Sequence, residues 1–439
     1  MTDLKKTLKH ARSLMETDPV GAEAILRKLN RGVKEPEQRV LVGGQLYAAA
    51  CKANEVIEQP LRTDPSFFDH GDCYDAGREP TASLFGMGRE LCSPLDREAY
   101  QRELQKAPDL MPGTFWNGKN DQLSNLLEGP EIDNFKRTYN HFLSNFFTYG
   151  PSESTFWDVV KHWNIHGSGS VFTDVHEPFD RETFSRIQEL RADYDARDSR
   201  EIYNTYIFFC SLLWDYAIFV DRRKVIPRIF EPLFGNPYRI RRGARLISQD
   251  LARSAVEYNQ MLELCSLPEN ATILEIGSGY GRLAQVFHEF GAAKFIIVDI
   301  APALFLAQTY LHAVFPKGKF FDFRSFENFE DVRREYEEAE FVFLSPNQID
   351  QLPDNSVDLT ININSFMEMT YQAVDHYMRT IDRICRGWLY MKQWRARGQK
   401  KIDHNFGHGD YPTRPSWKKT IDSIDIVNHR LFVQIWKTR

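Results

Sequence analysis

Hydrophobic and polar positions change period along the chain, and each period predicts a different kind of structure. Over residues 1–58 apolar side chains recur at helical spacing, and Asp18 followed by Pro19 is typical of a helix cap and a first helical turn, so a helical hairpin module is predicted. Prolines and glycines interrupt the pattern over residues 59–130, which indicates an irregular connecting region. Helical spacing with many aromatic residues returns over residues 131–265 and predicts a mostly helical domain.

Beyond residue 265 short apolar runs of strand length alternate with stretches of helical spacing. This alternation is typical of an α/β fold, and it predicts a doubly wound, mostly parallel seven-stranded sheet in a domain over residues 266–439. The segment Phe320 to Ala339 is interpreted as extra material between the second helix and the third strand. The predicted strands are Thr272–Ile276, Phe295–Val298, Phe341–Leu344, Leu359–Ile363, Trp388–Met391, Ile424–Val427 and Phe432–Trp436.

Composition narrows the class of protein. The 439 residues are 42% hydrophobic and 26% charged, which is typical of a globular chain of more than one domain. A net charge of -6 argues against a charge-driven nucleic-acid binder. The six cysteines are scattered without the close pairs of zinc sites or small disulfide frameworks, so reduced thiols are expected.

The longest apolar run, Ile207 to Val220, is interrupted by Asp215 and is shorter than the ~20 residues that a membrane span needs. A buried helix is therefore predicted there. The polar stretch from Met1 to His10 does not resemble a secretory signal. These features lead us to expect a cytoplasmic protein without a membrane span.

The strongest chemical signal is a glycine-rich turn between a predicted strand and a predicted helix, with Gly277, Gly279 and Gly281 in the string LEIGSGYGRLA. Glycines adopt positive backbone angles and let a ligand approach the main chain, and the helix that follows directs its free amides at that ligand. Arg282 occupies the position where a dinucleotide-binding turn needs a tiny residue for helix packing, which argues against an oxidoreductase. No Gly-Lys-Ser or Gly-Lys-Thr follows, so the turn is not a P-loop.

Two carboxylates flank this turn. Glu275 lies two residues before the first glycine and supplies a negative charge for an ammonium group, and Asp299 ends the second predicted strand, where its oxygens can accept both hydroxyls of a ribose. The pair suits a ligand with one cationic end and one ribose.

With the pattern ExGxGxG and an acidic end to the second strand, the chain resembles the class I S-adenosylmethionine-dependent methyltransferases. Four further strings resemble the sugar O-methyltransferases of bacterial surface-polysaccharide pathways: Val298 to Pro316, Leu352 to Met369, Leu389 to Trp394 and, before the motif, Arg245 to Ala252. The resemblance implies S-adenosylmethionine as cofactor, with its methionine part against the three glycines. It also implies that Arg282 is a candidate for the cofactor's carboxylate, and that Gln348 occupies the position that holds the adenine amine.

Methyl transfer to a hydroxyl needs alignment of the reactants and a base, or a metal, that activates the hydroxyl. In the resembling enzymes the end of the fourth strand faces the methyl group, so Glu368 is the first candidate for the base. Lys392, at the end of the fifth strand, is a candidate for contact with acceptor oxygens or for an ion pair with Glu368. The loop from His404 to Asp410 carries two histidines and a carboxylate, and His404 is a further catalytic candidate, although no metal motif is present.

The resulting hypothesis is an O-methyltransferase acting on a sugar, nucleotide sugar or glycan precursor of a surface polysaccharide. Two alternatives stay open: a small-molecule or natural-product methyltransferase, and a cofactor-binding scaffold whose N-terminal helices dock a polysaccharide-assembly protein.

Overall fold

The computed structural model describes residues 2–32, 220–232, 245–292, 294–396, 406–425 and 431–439, together with residue 427 and shorter stretches and single residues between positions 100 and 242. The chain forms two compact units. One comprises Met1–Ala82, Asn145–Asp221 and Pro237–Arg253, and the other comprises Ser83–Ser144, Arg222–Asn236 and Ser254–Arg439.

In the first unit, α1 (Thr2–Leu14) and α2 (Pro19–Gly32) form a helical pair. The Asp18 carboxylate accepts a hydrogen bond from the Gly21 N–H at 2.9 Å, so α2 begins at Pro19 as the sequence predicts. The same unit holds a short antiparallel hairpin of β1 (Ile240–Arg242) and β2 (Arg245–Ile247). The remainder of the predicted module over 1–58 lies outside the described residues.

The second unit contains an eight-stranded sheet with helices on both faces. Helix α3 (Gln249–Leu264) crosses the division between the units and contributes the residues from Ser254 onward to the second. The later elements, in chain order, are β3 (Thr272–Ile276), α4 (Arg282–Glu289), β4 (Lys294–Val298), α5 (Ala301–Val314), β5 (Phe320–Phe321), α6 (Phe329–Glu338), β6 (Phe341–Leu344), β7 (Val357–Ile363), α7 (Tyr371–Ile384), β8 (Cys385–Trp394), β9 (Lys418–Ile424) and β10 (Leu431–Lys437).

The strand order is β5-β6-β4-β3-β7-β8-β10-β9. Neighbours from β5 to β8 are parallel, whereas β10 is antiparallel to both β8 and β9. The chain moves outward from β3 through β4 to β6 and then returns to the other side of β3 with β7. In α/β sheets ligands bind where the order reverses in this way, at the carboxyl ends of the strands. The switch point between β3 and β7 therefore marks the place to look for a site.

The hydrophobic core explains why the central strands were recognisable. β4 and β6 are apolar runs whose residues are almost all buried, as expected for parallel strands covered on both faces. One face of the sheet packs against α6 and α7, and Leu274 and Ile276 of β3 belong to that cluster. Since side chains alternate along a strand, Glu275 points to the opposite face, where α3 lies.

The α/β prediction is confirmed, and two of its details are wrong. The sheet has eight strands instead of seven, because Phe320 to Ala339 supplies the two-residue strand β5 and helix α6. The first strand of the final hairpin is Lys418–Ile424 and not Ile424–Val427, because this edge strand is mostly exposed and lacks an apolar alternation. Within the predicted buried helix, the described residues Leu213, Trp214 and Ala217 are helical and buried. None of the described helices has the length and apolar character that crossing a bilayer requires.

Candidate functional site

The glycine-rich turn lies at the switch point, between the end of β3 and the start of α4. Gly277, Gly279 and Gly281 all have positive φ angles, of 78°, 60° and 83°. Gly281 is the N-cap of α4, and no side chain caps the helix there. The first amides of α4 are therefore available to a ligand in the turn.

The turn also touches the end of β7. A Cβ atom at Gly277 would overlap the Ser365 hydroxyl, so a side chain is excluded at that position. The Gly277 N–H donates to the Val298 carbonyl of β4 at 2.8 Å. The turn is thus fixed between the ends of its two neighbouring strands.

Asp299, directly after β4, is held by the same turn. Its Oδ2 accepts the Gly279 N–H at 3.0 Å and its Oδ1 accepts the Ile300 N–H at 2.7 Å. Burial raises the pKa of Asp299 to about 7, against the effect of these amides. Because each carboxylate oxygen offers two lone pairs, both oxygens can still accept a hydroxyl.

Glu275 is buried, with 4% of its surface exposed, and its Oε2 has no hydrogen-bond partner among the described residues. Burial raises the pKa of Glu275 to about 8, and the neighbouring Arg282 guanidinium only partly opposes this. A buried carboxyl oxygen without a donor is costly. A cationic N–H group placed beside it would remove that cost.

A chain of four alternating charges lies on the α3 side of the sheet. The Arg282 Nη1 donates to Glu257 Oε2 at 2.9 Å and to Ser254 Oγ at 2.6 Å. Glu257 Oε1 accepts the Lys392 ammonium at 3.2 Å, and the same ammonium lies 3.1 Å from Asp425 Oδ2. All four charged side chains are at most 13% exposed.

This arrangement corrects one expectation. Lys392 pairs with Glu257 and Asp425 rather than with Glu368 or an acceptor, because a buried ammonium requires carboxylate partners. Arg282 pairs with Glu257, and its positive charge also acts on Glu275.

Gln348 is hydrogen-bonded within its own part of the sheet edge. Its Oε1 accepts the Ser345 N–H at 2.9 Å in a capping box, its Nε2 donates to the Arg324 carbonyl at 2.8 Å, and the residue is fully buried. The capping-box spacing from Ser345 to Gln348 was a readable signal of this role. The contact with an adenine amine that the resemblance implies stays a prediction.

At the end of β7, Asn364 has a φ of 55°, and its buried Oδ1 has no partner among the residues described. Such strained positions gather at functional sites. Glu368 follows in a short 3-10 helix, Phe366–Glu368, where it is partly exposed and its N–H donates to the Ser365 carbonyl at 2.9 Å. Glu368 thus lies one turn beyond the residue that touches Gly277. Sequence analysis did not single out Asn364 or Ser365.

His404 lies outside the described residues. In the described part of its loop, His408 hydrogen-bonds Asp422 of β9, and the Gly407 N–H donates to Asp410 at 2.6 Å. Within the described ranges no group of three or more His, Cys, Asp or Glu side chains is arranged to hold a metal ion.

Residues far upstream in the sequence pack against the glycine-rich turn through the ring of Tyr280. The Tyr280 ring lies 5.3 Å from the Phe135 ring and 5.0 Å from the Tyr310 ring, between ring centroids. The Lys136 ammonium is 4.6 Å from the Tyr310 centroid and pairs with the buried carboxylate of Glu231. Sequence analysis did not anticipate this cluster, because its members are distant in the chain.

Comparisons with models of protein families and with curated proteins give no match. Among solved structures, a methyltransferase from Aquifex aeolicus described as SAM-dependent is 16% identical over 41% of this chain and 93% of its own, with a TM-score of 0.26. An S-adenosylmethionine-dependent methyltransferase from Mesorhizobium loti is 13% identical over 41% of this chain and 97% of its own, with a TM-score of 0.28. Phosphoethanolamine N-methyltransferase 1 from Haemonchus contortus, in complex with phosphoethanolamine and S-adenosylhomocysteine, is 15% identical over 43% of each chain, with a TM-score of 0.27. These identities and TM-scores are low. The description of the fold therefore rests on the strand order and connections of this chain alone.

Proposed function

We propose that the chain is an S-adenosylmethionine-dependent methyltransferase. The observation that carries the proposal is the pair of carboxylates on either side of a helix start without a side-chain cap. Glu275 has a buried oxygen to which no described residue donates, and Asp299 is oriented by two main-chain amides. A carboxylate for an ammonium, amides for an anion and a second carboxylate for a ribose match the two ends of this cofactor.

The polar atoms around the turn fit the same ligand. Three buried oxygens that have no hydrogen-bond partner among the described residues lie at the carboxyl ends of β3 and β7: Glu275 Oε2, Ser278 Oγ and Asn364 Oδ1. Buried polar atoms are nearly always hydrogen-bonded in a native protein. A ligand with several donors at this place would satisfy them, whereas an apolar ligand would leave them unpaired.

The cofactor supplies a methyl group already activated by its sulfonium. The work left to the protein is mainly positioning. In the proposed arrangement Asp299 orients the ribose by accepting its hydroxyls, Glu275 accepts from the ammonium, and the first amides of α4 donate to the carboxylate end. Glu368, partly exposed beyond the end of β7, accepts the proton of the acceptor hydroxyl as general base.

For the acceptor we propose a hydroxyl of a sugar, nucleotide sugar or glycan precursor. This part rests on the sequence resemblance and on the partly exposed Glu368, which suits a polar acceptor. A phenolic or other small-molecule acceptor, or a scaffold role with the N-terminal helices docking a partner protein, are the alternatives to be separated by experiment.

Calorimetry and turnover test the proposal in sequence. Titration of the purified full chain with S-adenosylmethionine is expected to show one site, and release of S-adenosylhomocysteine is then followed with sugar nucleotides, glycans and phenols. Turnover with a sugar supports the proposed acceptor, and turnover with phenols alone rejects it. Absence of cofactor binding rejects the methyltransferase, while binding without turnover on any acceptor supports the scaffold.

A further inference from the structure

A helical turn from far upstream in the sequence is bonded to the carboxyl edge of the sheet, beside the proposed ribose site. Tyr100, which has helical backbone and is 1% exposed, donates from its hydroxyl to the main-chain carbonyl of Asp299 at 3.0 Å. Its ring lies 5.2 Å from the Phe323 ring, between centroids. A residue 199 positions earlier in the chain therefore contacts the segment that follows β4.

Glu103, three residues after Tyr100, anchors the same turn to the neighbouring strand ends. Its carboxylate is fully buried and accepts hydrogen bonds from Asn347 Nδ2 at 2.8 Å, from Lys106 at 2.8 Å and from the Ser325 hydroxyl. Burial raises the pKa of Glu103, but these three donors outweigh it and hold the value below the usual range. Asn347 follows β6 and Ser325 follows β5, so one carboxylate joins the turn to two loops of the edge.

Leu110 continues the attachment. It is 4% exposed and belongs to the hydrophobic cluster that includes Leu274 and Ile276 of β3. The upstream turn, defined here by Tyr100, Glu103 and Lys106, therefore packs directly against the sheet domain.

We propose that the upstream turn forms one wall of the nucleoside half of the cofactor site, and that Glu103 is the positioning residue that holds this wall in place. The inference rests on the proposed function, since it names the part of the chain that encloses the ribose and the base. The turn meets the edge where β4, β5 and β6 end, beside the carboxylate proposed for the ribose, and the amino-acid half of the ligand lies instead toward Glu275.

A wall of this kind lowers affinity when it is displaced. If binding needs the attached state, the apparent affinity falls in proportion to the fraction of molecules in which the turn is attached. Replacing Glu103 by Ala leaves the amide of Asn347 and the hydroxyl of Ser325 without their acceptor, which favours the detached state.

The experiment compares two ligands in calorimetric titrations of the full chain, S-adenosylmethionine and adenosine, which lacks the amino-acid half. Glu103→Ala is expected to weaken both by a similar factor, about tenfold, the scale of losing a charge-assisted hydrogen bond. Glu103→Gln keeps an oxygen acceptor and is expected to recover most of the affinity. Tyr100→Phe removes only the bond to the Asp299 carbonyl and is expected to weaken both ligands less.

Asp358→Ala is the matched control. Asp358 is also a buried carboxylate with several donors, Arg386 and the Thr272 N–H, but it lies at the opposite, amino end of the strands. Asp358→Ala is expected to lower the melting temperature without changing the affinity for either ligand. If Glu103 had only a structural role, Glu103→Ala would give the same result.

If folded Glu103→Ala binds both ligands with unchanged affinity, the proposed wall is wrong. Should that variant not fold, an unchanged affinity for adenosine in Tyr100→Phe overturns it instead. A wild-type chain that binds neither ligand rejects the proposed function itself, whereas a wild type that binds both, with no effect of either substitution, rejects the wall alone.

Discussion

Asp299 links the glycine-rich turn to the strand beside it, because its two oxygens accept the N–H groups of Gly279 and Ile300. The same oxygens are proposed to accept the two ribose hydroxyls. The residue thus shapes the turn and the ligand site together, and a substitution is expected to affect both.

Asp299→Ala is expected to weaken binding of S-adenosylmethionine by about 1–3 kcal/mol, the cost of losing charge-assisted hydrogen bonds. It is also expected to abolish any preference of the wild type for adenosine over 2′-deoxyadenosine. Both effects are measured by titration calorimetry. If the variant keeps that preference, Asp299 does not hold the ribose.

At Glu275 the prediction concerns pH. Burial raises its pKa to about 8, so the carboxyl is largely protonated near pH 6, and a cationic ligand must displace that proton. We expect the affinity for S-adenosylmethionine to increase from pH 6 to pH 8, with proton release visible as a dependence of the binding heat on the buffer. In Glu275→Gln, the part of this increase in affinity that comes from deprotonation of Glu275 is expected to disappear. Adenosine, which has no ammonium, serves as the control ligand.

The same raised pKa has a defined effect on stability. Between the ordinary value of 4.5 and about 8 the folded state holds a proton that the unfolded state has released. The contribution of Glu275 to the free energy of unfolding is therefore present below pH 4.5 and is lost as the pH rises toward 8. Urea unfolding of the wild type and Glu275→Gln across this interval measures the difference. An identical pH dependence in both proteins would contradict the assignment.

At the scale of elements, the contact between the turn after β3 and the end of β7 fixes the crevice. Gly277→Ala is expected to destabilise the fold by roughly 2–5 kcal/mol, because it adds strain at a positive φ angle and an overlap with the Ser365 hydroxyl. Adding Ser365→Gly removes the overlap but not the strain, so the double variant is expected to recover part of the loss. Thermal and urea unfolding of the two single variants and the double variant measure these contributions. Equal stability of Gly277→Ala with and without Ser365→Gly would show that the overlap is relieved some other way.

The charge chain makes a second prediction about elements, since it joins α3, α4, β8 and the segment before β10. Lys392→Met removes an ammonium from between two carboxylates that are 2% and 4% exposed, and we expect a loss of about 3–5 kcal/mol. Lys392→Arg keeps the charge and is the matched control. Combining Lys392→Met with Asp425→Leu is expected to recover part of the loss in urea unfolding. A wild-type stability of Lys392→Met would mean that the chain of charges does not hold these elements together.

At the scale of the whole molecule, the sequence predicted the strands best where both faces of the sheet are covered. β6 was located to the residue because a parallel strand covered on both faces leaves an uninterrupted apolar run, and β3 was located to the residue because it runs directly into the glycine-rich turn. β9 was misplaced because six of its seven residues are exposed. Its pairing with β10 is made by main-chain hydrogen bonds, which leave no apolar pattern.

The candidate site divides in the same way. Glu275 and Asp299 were predicted as site residues from their distance to the glycine-rich turn, and the structure places both beside that turn. One partner of Lys392, Glu257, is 135 residues away, and two partners of Glu103, Ser325 and Asn347, are 222 and 244 residues away, so no local pattern predicts these contacts. Contacts at such separations arise from the fold as a whole, and only the folded chain reveals them.

The two outer strands of the large sheet have a consequence for how copies of the chain coexist in a crowded solution. Outer strands carry open main-chain groups on which another molecule's strand can add, and natural proteins blunt them by shortening or with charge. Here β5 is two residues long, and β9 carries Lys418 and Lys419 at its start and Asp422 near its end. Strand-to-strand growth into fibrous assemblies is thereby disfavoured at both margins.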